Sequence, residues 1–478
     1  MSARAPRRSP ELGIHFVSLG CPKNRVDSEV MLGMAVEAGY RHVASPADAA
    51  VIVVNSCAFI GAAERESVQV ILEMARHRRE GACRCLVVAG CLPQRHPAEL
   101  ASELPEVDHF LGPGDLGTLR DVLRGAAERM LVGRGGRWLA SADEPRVLTV
   151  PRPSAGARPS SAYLKIGDGC DRSCAFCVIP SIRGPLRSRP IDDLVREAER
   201  LVSLGVKELN LVSQDTVAYG RDLRRPRRSA GTRGGQPEAR LDVLVERLGA
   251  LPGLRWIRLL YLYPDELSPA LVELLAGHER VVRYVDMPMQ HGSDAVLRLM
   301  RRGHGARRLR AIIEQLRRQI PGLTLRSTFI VGHPGESPAD FEQLCELVRW
   351  AEPERLGVFP YSDEPGTESH RLGGKVAPLV AWNRYRRLMA LGRRISRRAN
   401  RALVGRTLEV LVEGASDEHP LVLMGRHAGQ APEIDGQIYL STGETPEPRP
   451  PRAGEMWTVE VTQASDYDLV GEPRALAR

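Results

Sequence analysis

Along residues 11–130, short apolar runs alternate with longer stretches whose apolar positions recur every three to four residues. Ile14 to Leu19, Ala50 to Val54 and Leu86 to Ala89 are the short runs, with a weaker fourth at Val107 to Leu111. Each predicts a strand, and the helical spacing of Val26 to Ala38 and of Gly61 to Arg79 predicts helices between them. Such alternation predicts a parallel, doubly wound α/β sheet. It resumes at Ala162. Strands are predicted at 162–166, 208–212, 256–260, 282–286, 324–331 and 355–359. Helices are predicted at Asp192 to Leu204, Leu241 to Ala250, Arg308 to Gln319 and Pro338 to Trp350. Six such units fit a partial (β/α)6 barrel, whose chemistry would gather at the carboxyl ends of its strands. After a basic helical run, Trp382 to Ala402, the pattern becomes strand-like at Leu408 to Glu413, Leu421 to Arg426, Gln437 to Leu440, Met456 to Val461 and Asp468 to Val470. Five short strands so close together predict a small, OB-like β-barrel.

The expected domains are therefore 11–130, 161–398 and 399–472, joined by a linker at 131–160 that is rich in Gly, Pro, Ser and Arg. Residues 221–240 form an Arg-, Gly- and Pro-rich insertion without apolar periodicity, expected as a solvated loop or an RNA contact.

Composition narrows the class. The chain has 478 residues and 43% hydrophobic content, enough for packed cores. No apolar run reaches the length of a membrane span, and Met1 to Pro10 is Arg- and Pro-rich without an apolar signal core, so a cytoplasmic location and no membrane partner are expected. Nine cysteines in such a protein suit metal ligands better than disulfides. A net charge of +8, carried almost entirely by arginine, suits a partner bearing phosphates, such as RNA or a ribonucleoprotein, or is a solubility feature.

The cysteines carry the chemistry. Gly169-Cys170-Asp171-Arg172-Ser173-Cys174-Ala175-Phe176-Cys177 places a Cys-x3-Cys-x2-Cys run just after the strand expected from Ala162. Three thiolates in one loop can hold three corners of a [4Fe-4S] cluster and leave the fourth iron without a protein ligand. The alternative is a structural zinc site or a buried thiol cluster, but structural zinc requires four protein ligands and none completes the set nearby. Three further cysteines each follow a predicted strand: Cys21 in Leu19-Gly20-Cys21-Pro22-Lys23-Asn24, Cys57 in Asn55-Ser56-Cys57, and Cys91 in Ala89-Gly90-Cys91. In an open α/β sheet those ends lie along one edge, where ligands bind. The expected product is a second three-cysteine [4Fe-4S] site; singly, each cysteine is also readable as a small buried hydrophobe. Cys83 and Cys85 precede their strand and are left out, and Cys345 reads as core.

The Cys170–Cys174–Cys177 spacing resembles the radical S-adenosylmethionine (SAM) superfamily, and a three-cysteine domain before such a core resembles the methylthiotransferase family. The run from Leu19 to Asn24, continuing Val26-Asp27-Ser28-Glu29, and the acidic run Ala431-Pro432-Glu433-Ile434-Asp435-Gly436 are similar to its RimO branch. The C-terminal barrel resembles the TRAM domain. The resemblance implies two [4Fe-4S] clusters and SAM. It implies catalytic roles for Cys170, Cys174 and Cys177, cluster ligation by these and by Cys21, Cys57 and Cys91, and SAM contact near Gln214, Asp215, Gly332 and Gly335. It further implies transfer of a methylthio group to the β-carbon of an aspartate in ribosomal small-subunit protein twelve, on the free protein or the ribosomal particle with rRNA contact, fed by an electron donor and a sulfur source. The alternatives are a tRNA adenosine methylthiotransferase and a non-catalytic RNA-binding protein with structural clusters.

Other stretches stay open. Met287 to Ser293 follows the fourth barrel strand and is expected to line a substrate cavity or to make an ordinary turn, with His291 and His333 as site residues or exposed polar residues. Arg183, Arg187 and Arg189 are expected to bind a carboxylate or to form a solvated basic loop. The acidic run 430–436 is expected to dock a basic protein or to make a turn.

Overall fold

The computed structural model describes residues 12–125, 138–148, 159–224, 236–416, 421–441 and 449–477. Most of the expected linker and residues 225–235 of the expected insertion lie outside them. The chain forms two compact units, one of Met1–Leu148 with Val178–Pro185, the other of Thr149–Cys177 with Leu186–Arg478.

The first unit contains β1 (Gly13–Ser18), α1 (Pro22–Glu37), β2 (Arg41–His42), β3 (Val51–Ser56), α2 (Gly61–Glu80), β4 (Cys85–Gly90), α3 (Cys91–Arg95), α4 (Pro97–Glu103), β5 (His109–Leu111) and α5 (Leu119–Leu123), joined by α6 (Ile179–Arg183) from later in the chain. The strands pair in parallel in the order β2-β1-β3-β4-β5. The two-residue period of the strands splits their side chains between two cores. Ile52, Val54, Leu86 and Val88 pack with Ile71 and Met74 of α2, while Val51, Val53, Val87 and Ala89 pack with Met31, Leu32 and Ala35 of α1. That division makes the sheet doubly wound. Val178 and Ile182 join the α2 side, which anchors α6 to this unit. Cys83 lies in the same core and Cys85 opens β4, at the end of the strand away from Cys91.

The second unit begins with β6 (Ser161–Lys165), β7 (Gly167–Asp168) and β8 (Arg187–Ser188), then alternates: α7 (Ile191–Ser203), β9 (Glu208–Val212), α8 (Arg221–Arg224), α9 (Leu241–Gly249), β10 (Trp256–Leu259), α10 (Pro269–Gly277), β11 (Val281–Asp286), α11 (Asp294–Leu299), α12 (Ala306–Gln319), β12 (Thr324–Val331), α13 (Pro338–Ala351), β13 (Arg355–Pro360) and α14 (Pro378–Arg401). Six parallel strands run in the order β13-β12-β11-β10-β9-β6, an open barrel rather than a closed one. Cys345 is buried in α13, as core. β14 (Thr407–Ala415), β15 (Leu423–His427), β16 (Ile438–Leu440), β17 (Met456–Ala464) and β18 (Leu469–Leu476) close a small barrel around Trp457, Val459 and Leu469.

The acidic run turns inward. The Arg258 guanidinium donates to the Ala428 carbonyl at 2.8 Å, the Tyr163 hydroxyl to the Pro432 carbonyl at 3.2 Å, and the Tyr284 hydroxyl to Asp435 Oδ2 at 2.7 Å. Glu208, at the amino end of β9, bridges Arg258 at 2.9 Å and Arg426 of β15 at 2.6 Å, all fully buried. The segment after β15 therefore stoppers the barrel at the amino ends of its strands. Within the run, the Asp435 carboxylate accepts from the Tyr284 hydroxyl and the Ala431 N–H, while Glu433 and Ile434 are exposed. A turn is what the chain makes there, and it serves the barrel.

Candidate functional site

In the first unit, register brings the strand-end cysteines together. Ser18 pairs with Asn55, and Ser56 with Gly90, so β1, β3 and β4 end along one edge. Cys21 caps α1, Cys57 follows β3, and Cys91 opens α3. Gly20 sits at φ +87°, and a Cβ there would lie 2.9 Å from Cys57 Sγ, so only glycine lets this turn pass so near Cys57.

The start of α1 explains the polar run that resembles a family signature. Its first turn, ahead of the expected Val26, is invisible to apolar periodicity because Lys23 and Asn24 are polar yet buried, and Asp27, Ser28 and Glu29 after them are buried too. Asn24 Nδ2 donates to the Leu19 and Ser56 carbonyls, each at 3.0 Å, tying the Cys21 turn to the end of β3. Asn55 Nδ2 donates to the Asn24 carbonyl at 2.8 Å and to Ser28 Oγ at 2.9 Å. Ser67 Oγ accepts from the Cys57 N–H at 3.0 Å and donates to its carbonyl at 2.8 Å. Arg183 completes the site. Its guanidinium reaches Asp27 at 3.0 Å, Asn24 Oδ1 at 2.5 Å and Cys91 Sγ at 3.5 Å. Burial pushes the Cys57 thiol up to about 12, aided by the neighbouring Cys91 and Cys21. Burial acts the same way on Cys21, but the charges of Lys23 and Arg183 with the N–H groups of Asn24 and Lys23 outweigh it and hold that thiol below its ordinary value.

In the second unit the Cys170 loop leaves β7 at the carboxyl end of the barrel strands. Gly169 N–H donates to Asp168 Oδ1 at 2.9 Å, the Ala175 N–H to the Met300 carbonyl at 3.0 Å, and the Ser369 N–H to the Ala175 carbonyl at 2.8 Å. Arg302 Nη1 donates to Cys174 Sγ at 3.3 Å and its Nη2 to the Pro288 carbonyl at 2.9 Å. Two guanidiniums lie over the Tyr263 ring, Arg172 at 3.8 Å and Arg302 at 4.2 Å. Arg172 also pairs with Asp215 at 2.6 Å and with Glu266. Burial pushes the Cys170 thiol up to about 11 despite its bond from the Arg172 N–H, with the charges of Asp215 and Cys174 adding to the rise. Tyr263, Glu266 and Arg302 carry no motif in the sequence; the signal available was their place in loops after the third and fourth barrel strands.

The other expected site residues divide. Gln214 and Asp215 stand beside the loop: Gln214 Nε2 donates to Asp168 Oδ1 at 2.8 Å, and burial raises the Asp215 carboxyl against the lowering pull of Arg172. Ser213 Oγ, Gln214 Oε1, Asp215 Oδ1 and Gln290 Oε1 are buried without a hydrogen-bond partner. Buried polar atoms left in that state at one rim fit a polar ligand. Gly332 and Gly335 have packing reasons of their own: a Cβ would stand 2.5 Å from the Ala381 Cβ at the first and 2.8 Å from a Leu299 methyl at the second. His291 and His333 are fully buried, not exposed, and burial drives them down to about 3 and 4, so both are neutral at pH 7. The solvated-loop reading of the arginines is corrected for Arg183 and Arg189, both buried; Arg189 is held by Asp193 at 2.7 Å and Glu197 at 2.5 Å.

Among the described residues, no three Cys, His, Asp or Glu side chains are arranged to hold one metal ion. Nor is any described helix long and apolar enough to cross a membrane.

Residues 13–112 match the Uncharacterized protein family UPF0004, residues 164–348 the Radical SAM superfamily and residues 404–473 the TRAM domain. The chain is 61% identical to ribosomal protein uS12 methylthiotransferase RimO of Sorangium cellulosum, over 96% of this chain and 90% of that one. It is 49% identical to the protein of that name from an Anaeromyxobacter species, over 97% and 93%. Among solved structures, the radical S-adenosylmethionine methyltransferase TsrM of Kitasatospora setae shares the fold, with a TM-score of 0.51, 16% identity, and coverage of 76% of this chain and 77% of that one. Sequence, fold and matched segments agree: this chain belongs to the RimO family of ribosomal protein uS12 methylthiotransferases.

Proposed function

We propose that this chain is a radical SAM methylthiotransferase that places a methylthio group on the β-carbon of an aspartate in ribosomal protein uS12, in the cytoplasm. The observation that carries the reading is near-full-length identity to RimO proteins in a chain with two separate three-cysteine sites. A β C–H bond is too weakly acidic for a general base, so the hard step falls to a cofactor. Cys170, Cys174 and Cys177 would hold a [4Fe-4S] cluster that, together with SAM, would supply the radical chemistry needed to abstract that hydrogen. Cys21, Cys57 and Cys91 would hold the second cluster, on the sulfur-transfer side.

The chain's own residues support that task. Arg302 fixes the Cys174 thiolate through a charge-assisted hydrogen bond, which is stronger than a neutral one. Arg172, held between Asp215, Glu266 and Tyr263, sets the course of the loop between the first two cysteines. Ser213, Gln214 and Asp215 offer acceptors for the ammonium and hydroxyl groups of SAM. Neutral His291 and His333 keep extra positive charge away from that rim. An electron donor and a sulfur source must complete the reaction, and the substrate is either free uS12 or the small ribosomal subunit.

Mass spectrometry tests the reading. The anaerobically reconstituted protein, SAM and a reductant are offered uS12, small ribosomal subunits and an adenosine-modified tRNA. One methylthio group on an aspartate of uS12 is the expected result. A methylthio group on the tRNA alone would keep the chemistry and overturn the substrate.

A further inference from the structure

Arg183 occupies an unusual place. Its side chain is 2% exposed and that of its partner Asp27 is 1% exposed, so the pair is desolvated. The same guanidinium donates to Cys91 Sγ at 3.5 Å and to Asn24 Oδ1 at 2.5 Å, and Asn24 in turn ties the Cys21 turn to the end of β3. It is thus a buried cation in direct contact with one cysteine of the N-terminal site, Cys91. It is not contributed by the N-terminal sequence. α6, which carries it, begins two residues after Cys177 and is anchored in the first unit by Val178 and Ile182. Three thiolates on an iron–sulfur core leave a net negative charge. A cluster's reduction potential responds to net charge, to hydrogen bonds on its sulfurs and to exclusion of solvent. Arg183 supplies a positive charge and a donor to sulfur where water is largely excluded, and Asp27 partly offsets that charge.

We propose that Arg183 is a positioning residue that raises the reduction potential of the cluster held by Cys21, Cys57 and Cys91, with Asp27 setting how much of its charge the cluster feels. The proposal rests on the reading that these cysteines hold a cluster. It makes the N-terminal site depend on a residue encoded directly after the radical SAM cysteines. Removing the cation stabilises the oxidised cluster, and removing its counter-charge stabilises the reduced one. The two substitutions must therefore shift the potential in opposite directions, which a merely structural role for either residue would not produce.

The test uses the full chain with Cys170, Cys174 and Cys177 replaced by alanine, so that one cluster is observed alone. Into this background go Arg183→Gln, Arg183→Lys and Asp27→Asn. Each protein is reconstituted anaerobically, its iron and sulfide are counted, and its cluster is titrated with dithionite and mediators while the reduced signal is followed by electron paramagnetic resonance. The expected result is a lower midpoint for Arg183→Gln, a midpoint nearer the parent for Arg183→Lys, and a higher midpoint for Asp27→Asn, at equal iron content. Shifts of the same sign, or unchanged midpoints, would overturn the proposal. If Arg183→Gln fails to fold, the Lys and Asp27→Asn pair decides: an unshifted Asp27→Asn midpoint contradicts it, and a raised one supports it. A parent that takes up no iron would instead overturn the reading of Cys21, Cys57 and Cys91.

Discussion

The two three-cysteine sets are gathered by opposite routes. Cys170, Cys174 and Cys177 share one loop, whose course is fixed by local backbone bonds and by Arg172 and Arg302. Cys21, Cys57 and Cys91 come from three strands and meet because the parallel register ends those strands together. A loop site tolerates changes elsewhere in its sheet. A register site does not: slipping β3 by one residue would move Cys57 and exchange the two faces of its strand. Yet each site includes one buried arginine donating to a cysteine sulfur, Arg302 to Cys174 and Arg183 to Cys91. The difference lies in how the cysteines are gathered, the likeness in how their charge is answered.

The largest expected effects separate the sites by function. Cys174→Ala should abolish 5′-deoxyadenosine formation from SAM while the N-terminal site still takes up iron; undiminished 5′-deoxyadenosine would remove Cys174 from the radical-forming site. Cys91→Ala should leave SAM cleavage intact and stop methylthio transfer, read as methylthiolated uS12 by mass spectrometry. Normal product from that variant would take Cys91 out of the scheme.

The next effect separates the scaffolds. Glu208→Gln leaves Arg258 buried without its carboxylate and Arg426 with Glu413 alone, and breaking such a buried pair costs about 3–5 kcal/mol. The loss should fall on the second unit, with iron uptake at the Cys21 site unchanged. Burial alone would raise the Glu208 carboxyl, but Arg426 and Arg258 bring it from its ordinary 4.5 down to about 2. A carboxylate with a depressed folded-state pKa stabilises fully above its unfolded value and loses that contribution as pH falls through the folded one. The gap between wild type and Glu208→Gln in chemical denaturation should therefore be widest at neutral pH and close between pH 4.5 and about 2. A gap that stays constant across that range would contradict the assignment.

The smallest effect tests the shared arginine. Arg302→Gln should slow SAM cleavage by about 10–100-fold, the usual cost of losing a partner behind a metal ligand. Iron content at the Cys170 site distinguishes lost tuning from lost loading. An unchanged rate would mean that the Arg302 bond to Cys174 is structural only.

Much of this contrast was legible in the sequence. The six barrel strands, the doubly wound sheet and the five-stranded small barrel follow from apolar patterning, because strands buried on both faces read as continuous apolar runs. The alignment of Cys21, Cys57 and Cys91 was legible for a topological reason, since parallel strands in such a sheet end at one edge. What patterning hid was buried polarity. The helix was expected only from Val26, and its first turn from Pro22 was missed because Lys23 and Asn24 look like surface residues and are buried. Arg183 was read as a ligand-binding or solvated residue for the same reason: a charge pattern does not reveal a counter-charge 156 positions away. The inward bond of Asp435 in the acidic run was hidden in the same way, because its partner, Tyr284, lies 151 positions away.

The most direct measurement counts clusters site by site. Wild type, the variant lacking Cys21, Cys57 and Cys91, and the variant lacking Cys170, Cys174 and Cys177 would be reconstituted anaerobically and their iron, sulfide and Mössbauer spectra compared. Two independent sites predict that each variant keeps half the wild-type iron as a [4Fe-4S] cluster. A variant that keeps all of it, or loses all of it while still folded, would contradict the account of two separately built cysteine sites.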